Sequence, residues 1–135
     1  MREIMVPAKV ECLDEVLEFV EAAMTEVGAD IKYVTNISIA VEEIFVNIAH
    51  YAYPDGEGDI SISLLISQDK LVMEFKDRGI PYDPLSREDP DTSLSAEERE
   101  IGGLGIFMVK NMMDDVNYRY EDGYNVMTIM KLFGE

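Results

Sequence analysis

From Leu13 to Val27, and again from Asp30 to about Ala52, apolar residues recur at helical spacing, and only afterwards does the chain settle into two-residue alternation. Two long amphipathic helices laid down before any strong strand have to bury their stripes against a sheet, and this restricts the fold more than any other feature. The first stripe is Leu13, Val16, Leu17, Val20, Met24 and Val27, with Glu11, Glu15, Glu18 and Glu21 on other faces and Gly28 as a C-terminal stop. The second is Val34, Ile37, Val41, Ile44, Phe45 and Ile48, capped by Asp30 and ended by Pro54-Asp55-Gly56. Ile60, Ile62, Leu64 and Ile66 then alternate with serines, and Leu71, Met73 and Phe75 alternate with Val72, Glu74 and Lys76 across a Gln68-Asp69-Lys70 turn, which predicts a hairpin with one buried face. A short strand over Ile4 to Val6, limited by Pro7, precedes the helices. A third helix from Leu104 to about Asp115, and strands Val116 to Tyr120 and Tyr124 to Phe133 around Asp122-Gly123, complete the pattern. The order predicts an α/β two-layer sandwich.

A chain of 135 residues is long enough for one domain with a substantial core, so a single domain over 1–135 is expected. Asp83 to Glu100 is rich in charge, contains Pro84 and Pro90, and lacks periodicity, which suits a surface loop. No apolar run approaches the length of a membrane span and the start lacks a cleavable leader pattern, so a cytoplasmic protein is expected. The single cysteine, Cys12, supports neither a disulfide nor a zinc site. With 11 Lys and Arg against 28 Asp and Glu, the net charge of -17 disfavours nucleic acid and anionic membranes and favours partners with basic surfaces.

Three short segments carry chemistry. At 100° per residue Glu43 and Asn47 share a line at the edge of the second helix's buried face, whereas Glu42 turns toward solvent. A carboxylate there suits a general base, and an amide oxygen four residues on suits a hard cation that bridges phosphates. Asp77 is in phase with Leu71, Met73 and Phe75, so its strand ends on a carboxylate aimed to the apolar side, and Gly79 and Pro81 follow in a tight turn. Such a carboxylate accepts from an exocyclic amine, and Gly79 admits close approach of a base. Gly102, Gly103, Leu104 and Gly105 open the third helix with unobstructed amides, a setting that favours phosphate oxygens. The Gly-Lys-Ser/Thr ending of a Walker A loop is absent and no Rossmann-type first strand precedes the glycines.

In this order Glu43 to Asn47, Asp77 to Pro81 and Gly102 to Gly105 resemble the N, G1 and G2 boxes of the GHKL (histidine-kinase-like) ATPase superfamily, over roughly Asp30 to Phe133. The resemblance is closest to the anti-sigma-factor serine/threonine kinases, through Ile101 to Val109 and Met112 to Val116. It implies a GHKL/Bergerat ATP-binding fold, with a mixed, mainly antiparallel sheet covered by helices on one face and an ATP lid at about 83–103. It also implies ATP and Mg2+ as cofactors, Glu43 as general base, Asn47 as Mg2+ ligand, Asp77 as adenine acceptor, and Thr128 as a late-strand threonine near the same edge. Relatives commonly carry a His four residues after the Asn, where this chain has Tyr51, and its only histidine, His50, precedes that position. The implied partners are a sigma factor and an anti-sigma-factor antagonist phosphorylated on Ser or Thr, with a homodimer as the implied assembly. A nucleotide-gated protein-binding module with little or no kinase activity stays open as the alternative.

Overall fold

In the computed structural model of the protein, which describes residues 1–54, 56–86 and 103–133, five strands form one sheet and three helices lie along it. Strand β1 (Arg2–Pro7) leads through a short 3-10 turn, Val10–Cys12, into helix α1 (Leu13–Glu26) and helix α2 (Ile31–Tyr51). Strands β2 (Asp59–Ile66) and β3 (Lys70–Asp77) form the first hairpin. After a 3-10 turn at Pro84–Ser86 come helix α3 (Gly103–Met112) and the hairpin of β4 (Asp115–Glu121) and β5 (Tyr124–Leu132). Asp30 caps α2 as its sequence suggests, its Oδ1 accepting from the Lys32 N–H at 3.0 Å. Asp122 and Gly123 both adopt positive φ, 55° and 85°, as a two-residue hairpin turn requires.

The strand order is β1-β2-β3-β5-β4, and all four pairings are antiparallel. The expected mixed sheet is therefore corrected to an antiparallel one among the described residues. Two helices separate β1 from β2, so the chain reverses an odd number of times between them and arrives antiparallel. The single helix α3 returns β4 parallel to β3, but β5 is inserted between the two, so that parallel pair never shares hydrogen bonds.

Register explains the core. Leu71, Met73 and Phe75 of β3 stand opposite Ile66, Leu64 and Ile62 of β2, all on the side that receives Val16, Val20 and Met24 of α1 and Ile37, Val41, Ile44 and Phe45 of α2. Phe45 and Phe75 are wholly buried, and each contributes about 2–3 kcal/mol by leaving water. Helix α3 ends at Met112, short of the expected Asp115, because Asp115 opens β4 and Asp114 is bonded to β5: its N–H donates to the Met130 carbonyl and its Oδ2 accepts from the Leu132 N–H. Among the described residues no helix is long and apolar enough to cross a membrane.

Candidate nucleotide site

One end of the apolar layer opens into a cleft of about 430 Å3, its mouth included, walled by α2, the turn after β3, and β4 and β5. Asn47 and Tyr51 of α2, Asp77, Tyr82, Tyr118 and Asn125 supply its polar wall, and Ile44, Ile48 and Ile106 much of its apolar wall. Asn47, Asp77 and Asn125 are the only buried polar or charged residues of those described, at 9%, 4% and 7% exposure, and all three meet here. In an otherwise apolar core, that convergence marks the site.

Glu43 lies one helical turn before Asn47, half-buried, with its carboxylate against the first turn of α3. A Cβ on Gly105 would overlap Glu43 Oε2, so this position in α3 admits glycine alone while the carboxylate stays. Burial raises the Glu43 pKa above the usual carboxylate range, and the neighbouring Glu42 charge adds to the rise. Gly103 is the first residue of α3 and Leu104 the second, while Gly102 lies outside the described residues.

The turn after β3 is fastened from two sides. The Ile80 N–H donates to the Ala52 carbonyl at the end of α2 at 2.9 Å, and a Cβ on Gly79 would strike that carbonyl and the Ala52 side chain. Behind it, the Tyr53 hydroxyl donates to the Asp59 carbonyl oxygen at 2.8 Å and accepts from the Arg78 N–H at 2.8 Å. Asp77 Oδ1 accepts from the Gly79 N–H and from Asn125 Nδ2, each at 2.9 Å. Oδ2 takes part in neither bond. Burial raises the Asp77 pKa, and those two donors partly oppose the rise.

Two expected positions, Thr128 and Pro81, do not line the cleft. Thr128 stands opposite Glu74 and Asn117, on the sheet face away from the helices, whereas Asp77 stands opposite Asn125 on the helix side. Directly paired residues share a face, so Thr128 lies on the opposite face of the sheet from Asp77, and its buried hydroxyl oxygen has no partner among the described residues. Pro81 is exposed and does not line the cleft. The expected lid is described only at its start, where Pro84 is buried in the cleft wall, and residues 87–102 lie outside the described residues. His50 is exposed and stacks edge-on against Tyr51, with ring centroids 6.2 Å apart. Asn125, which sequence reasoning missed, had a readable signal: it is a polar residue in phase with the apolar Met127 and Ile129, as Asp77 is with Phe75.

The histidine kinase-like ATPase domain family matches residues 6–131 of this chain. A serine-protein kinase RsbW of Listeria monocytogenes is 30% identical over 129 residues, covering 92% of this chain and 82% of the relative. A serine-protein kinase RsbW of Bacillus cereus is 26% identical, covering 93% and 81%. The crystal structure of the RsbU and RsbW domains of a Mycobacterium tuberculosis protein superposes with a TM-score of 0.66 at 15% identity, over 98% of this chain and 33% of that one, and shares its fold. With the family match spanning nearly every described element, the chain belongs to the histidine kinase-like ATPase domain family, among relatives of the RsbW serine-protein kinases.

Proposed function

We propose that this protein is an ATP-dependent protein serine/threonine kinase acting as an anti-sigma regulatory factor, which binds a sigma factor and phosphorylates an anti-sigma-factor antagonist. The observation that carries the reading is one cleft lined by a buried carboxylate with a spare oxygen and by a buried amide, with a half-buried glutamate one helical turn before that amide, against a glycine-opened helix. The names of the curated relatives, serine-protein kinases, point the same way.

Asp77 Oδ2 accepts from the exocyclic amine of adenine, and Gly79, bare of side chain against Ala52, lets the turn that carries Asp77 pack onto the end of α2. Among the described residues no group of three or more His, Cys, Asp or Glu converges as a metal site, so Asn47 would hold Mg2+ together with the nucleotide's own phosphates and water. The buried Asn47 amide in the cleft fits that use, and bound Mg2+ supplies charge neutralisation at the phosphates. Glu43 takes the proton of an incoming Ser or Thr hydroxyl as its oxygen bonds to the γ-phosphorus and the bond from phosphorus to the ADP oxygen breaks. The raised pKa of Glu43 suits a group that must hold that proton. Incubating the purified protein with Mg-ATP and a candidate antagonist, followed by mass spectrometry, should find one phosphorylated Ser or Thr. An antagonist that stays unmodified while ATP binds tightly would replace the kinase by a nucleotide-gated binding module.

A further inference from the structure

Asn125 stands in β5 opposite Asp77 of β3, in phase with the apolar Met127 and Ile129, and each part of its amide is used. The Tyr82 N–H donates to Oδ1 at 3.2 Å and the Tyr118 hydroxyl donates to the same oxygen. Nδ2 donates to the Ile80 carbonyl oxygen at 2.9 Å and to Asp77 Oδ1 at 2.9 Å. A backbone donor at one end and a backbone acceptor at the other forbid the flipped amide. Asn125 has nothing left to offer a ligand, so its effect on a ligand runs through Asp77.

With Oδ1 filled twice, by Asn125 and by the Gly79 N–H, a proton added to Asp77 has to go to Oδ2. Oδ2 is then an acceptor when Asp77 is ionised and a donor when it is not. A 6-aminopurine needs the first state and a 6-oxopurine the second. We infer that Asn125 is a positioning residue that holds Asp77 with Oδ2 as its one acceptor toward the cleft, and so sets a preference for 6-aminopurine over 6-oxopurine nucleotides. The inference rests on the nucleotide reading above. Tyr51 of α2 and Tyr82 share the cleft wall with Asp77, and the titratable groups coupled to its charge are Tyr53 behind the turn and Tyr118 on β4, with Asp59 and Arg78 beyond the one and Asp83 and Tyr120 beyond the other. Burial pushes the Tyr53 and Tyr118 hydroxyls up, so they stay neutral while a carboxylate titrates.

Competition binding of ADP and IDP to the full chain across pH tests this. The wild-type protein should prefer ADP and lose it as pH falls and Oδ2 gains its proton. Asn125→Ala should lower ADP affinity roughly tenfold, leave IDP affinity unchanged or raised, and move the acid limb of ADP binding to higher pH, because a bond that favours the charged form is gone. An equal fall for both nucleotides with an unmoved limb would make Asn125 merely structural and overturn the inference. If that variant fails to fold, Asn125→Asp keeps the size and the acceptor toward Tyr82 and Tyr118 but faces Asp77 with a second carboxyl group. The two groups then share one proton, and ADP binding should fall as pH rises and that proton leaves, the reverse of wild type. A wild-type pH profile in Asn125→Asp also overturns it. Wild-type protein that binds ADP and IDP equally removes this inference alone, whereas protein that binds neither removes the nucleotide reading first.

Discussion

A carboxylate buried as deeply as Asp77 destabilises the apo fold, and its two donors offset only part of that cost. Its folded pKa is raised, so the stability associated with its proton is fully present below the ordinary carboxylate range and is lost as pH rises through the folded value. At neutral pH Asp77→Asn should therefore melt higher than wild type, while calorimetry shows adenine-nucleotide binding weaker by about 1.5–3 kcal/mol, since one acceptor oxygen has become a donor. Unchanged ATP affinity in that variant would remove Asp77 from the site. In the proposed reaction Glu43 is the opposite case, a base for transfer and not a group for affinity. Glu43→Gln should bind nucleotide as wild type does and lose phosphoryl transfer. In the wild type, transfer should rise with pH through a limb set above the usual carboxylate range, because the base has to shed its proton first. Equal rates for Glu43→Gln and wild type in single-turnover assays would exclude it as the base.

Two glycines on different elements illustrate how one substitution separates folding from chemistry. At Gly79 a Cβ meets the carbonyl and side chain at the end of α2, which cannot move aside, so Gly79→Ala should cost roughly 1–3 kcal/mol in denaturant unfolding. At Gly105 the Cβ meets only the far end of the Glu43 side chain, which can swing away. Gly105→Ala should stay within about 1 kcal/mol of wild-type stability, because alanine also favours the helix, while phosphoryl transfer falls as Glu43 is displaced. Similar losses of stability in the two variants would contradict this picture. Elements of this kind were readable from local pattern: the stripes of α1 and α2, the Asp30 cap and both hairpins stand where their periodicities put them. Long-range pairing was not readable. The place of β5 between β3 and β4 depends on which edges meet, and Thr128, implied by the family resemblance, is out of phase with Asn125, Met127 and Ile129 and so lies on the other face, as its register with Glu74 shows. Glu43, Asn47 and Asp77 were legible because each breaks or borders an apolar line, and Asn125 obeys the same rule on a strand whose neighbours the sequence does not name.

At the scale of the whole molecule, the net charge of -17 acts on encounters more than on the fold. Association with a partner bearing a basic face should slow as salt rises, with the dissociation rate much less affected, and stopped-flow traces over a range of ionic strength would read this directly. A salt-independent association rate would mean that the acidity serves solubility alone. The insertion of β5 also governs how the protein is made. Asp77 and its partner Asn125 are 48 residues apart, so a ribosome takes on the order of 2–10 s to deliver the second after the first. Throughout that interval β3 presents an unpaired edge carrying Leu71, Met73 and Phe75, the kind of surface that chaperones hold and that other nascent chains pair with. The cleft comes into being only when β5 has been translated and seated, so a chain cut short of β5 lacks the wall that Asn125 and Met127 provide.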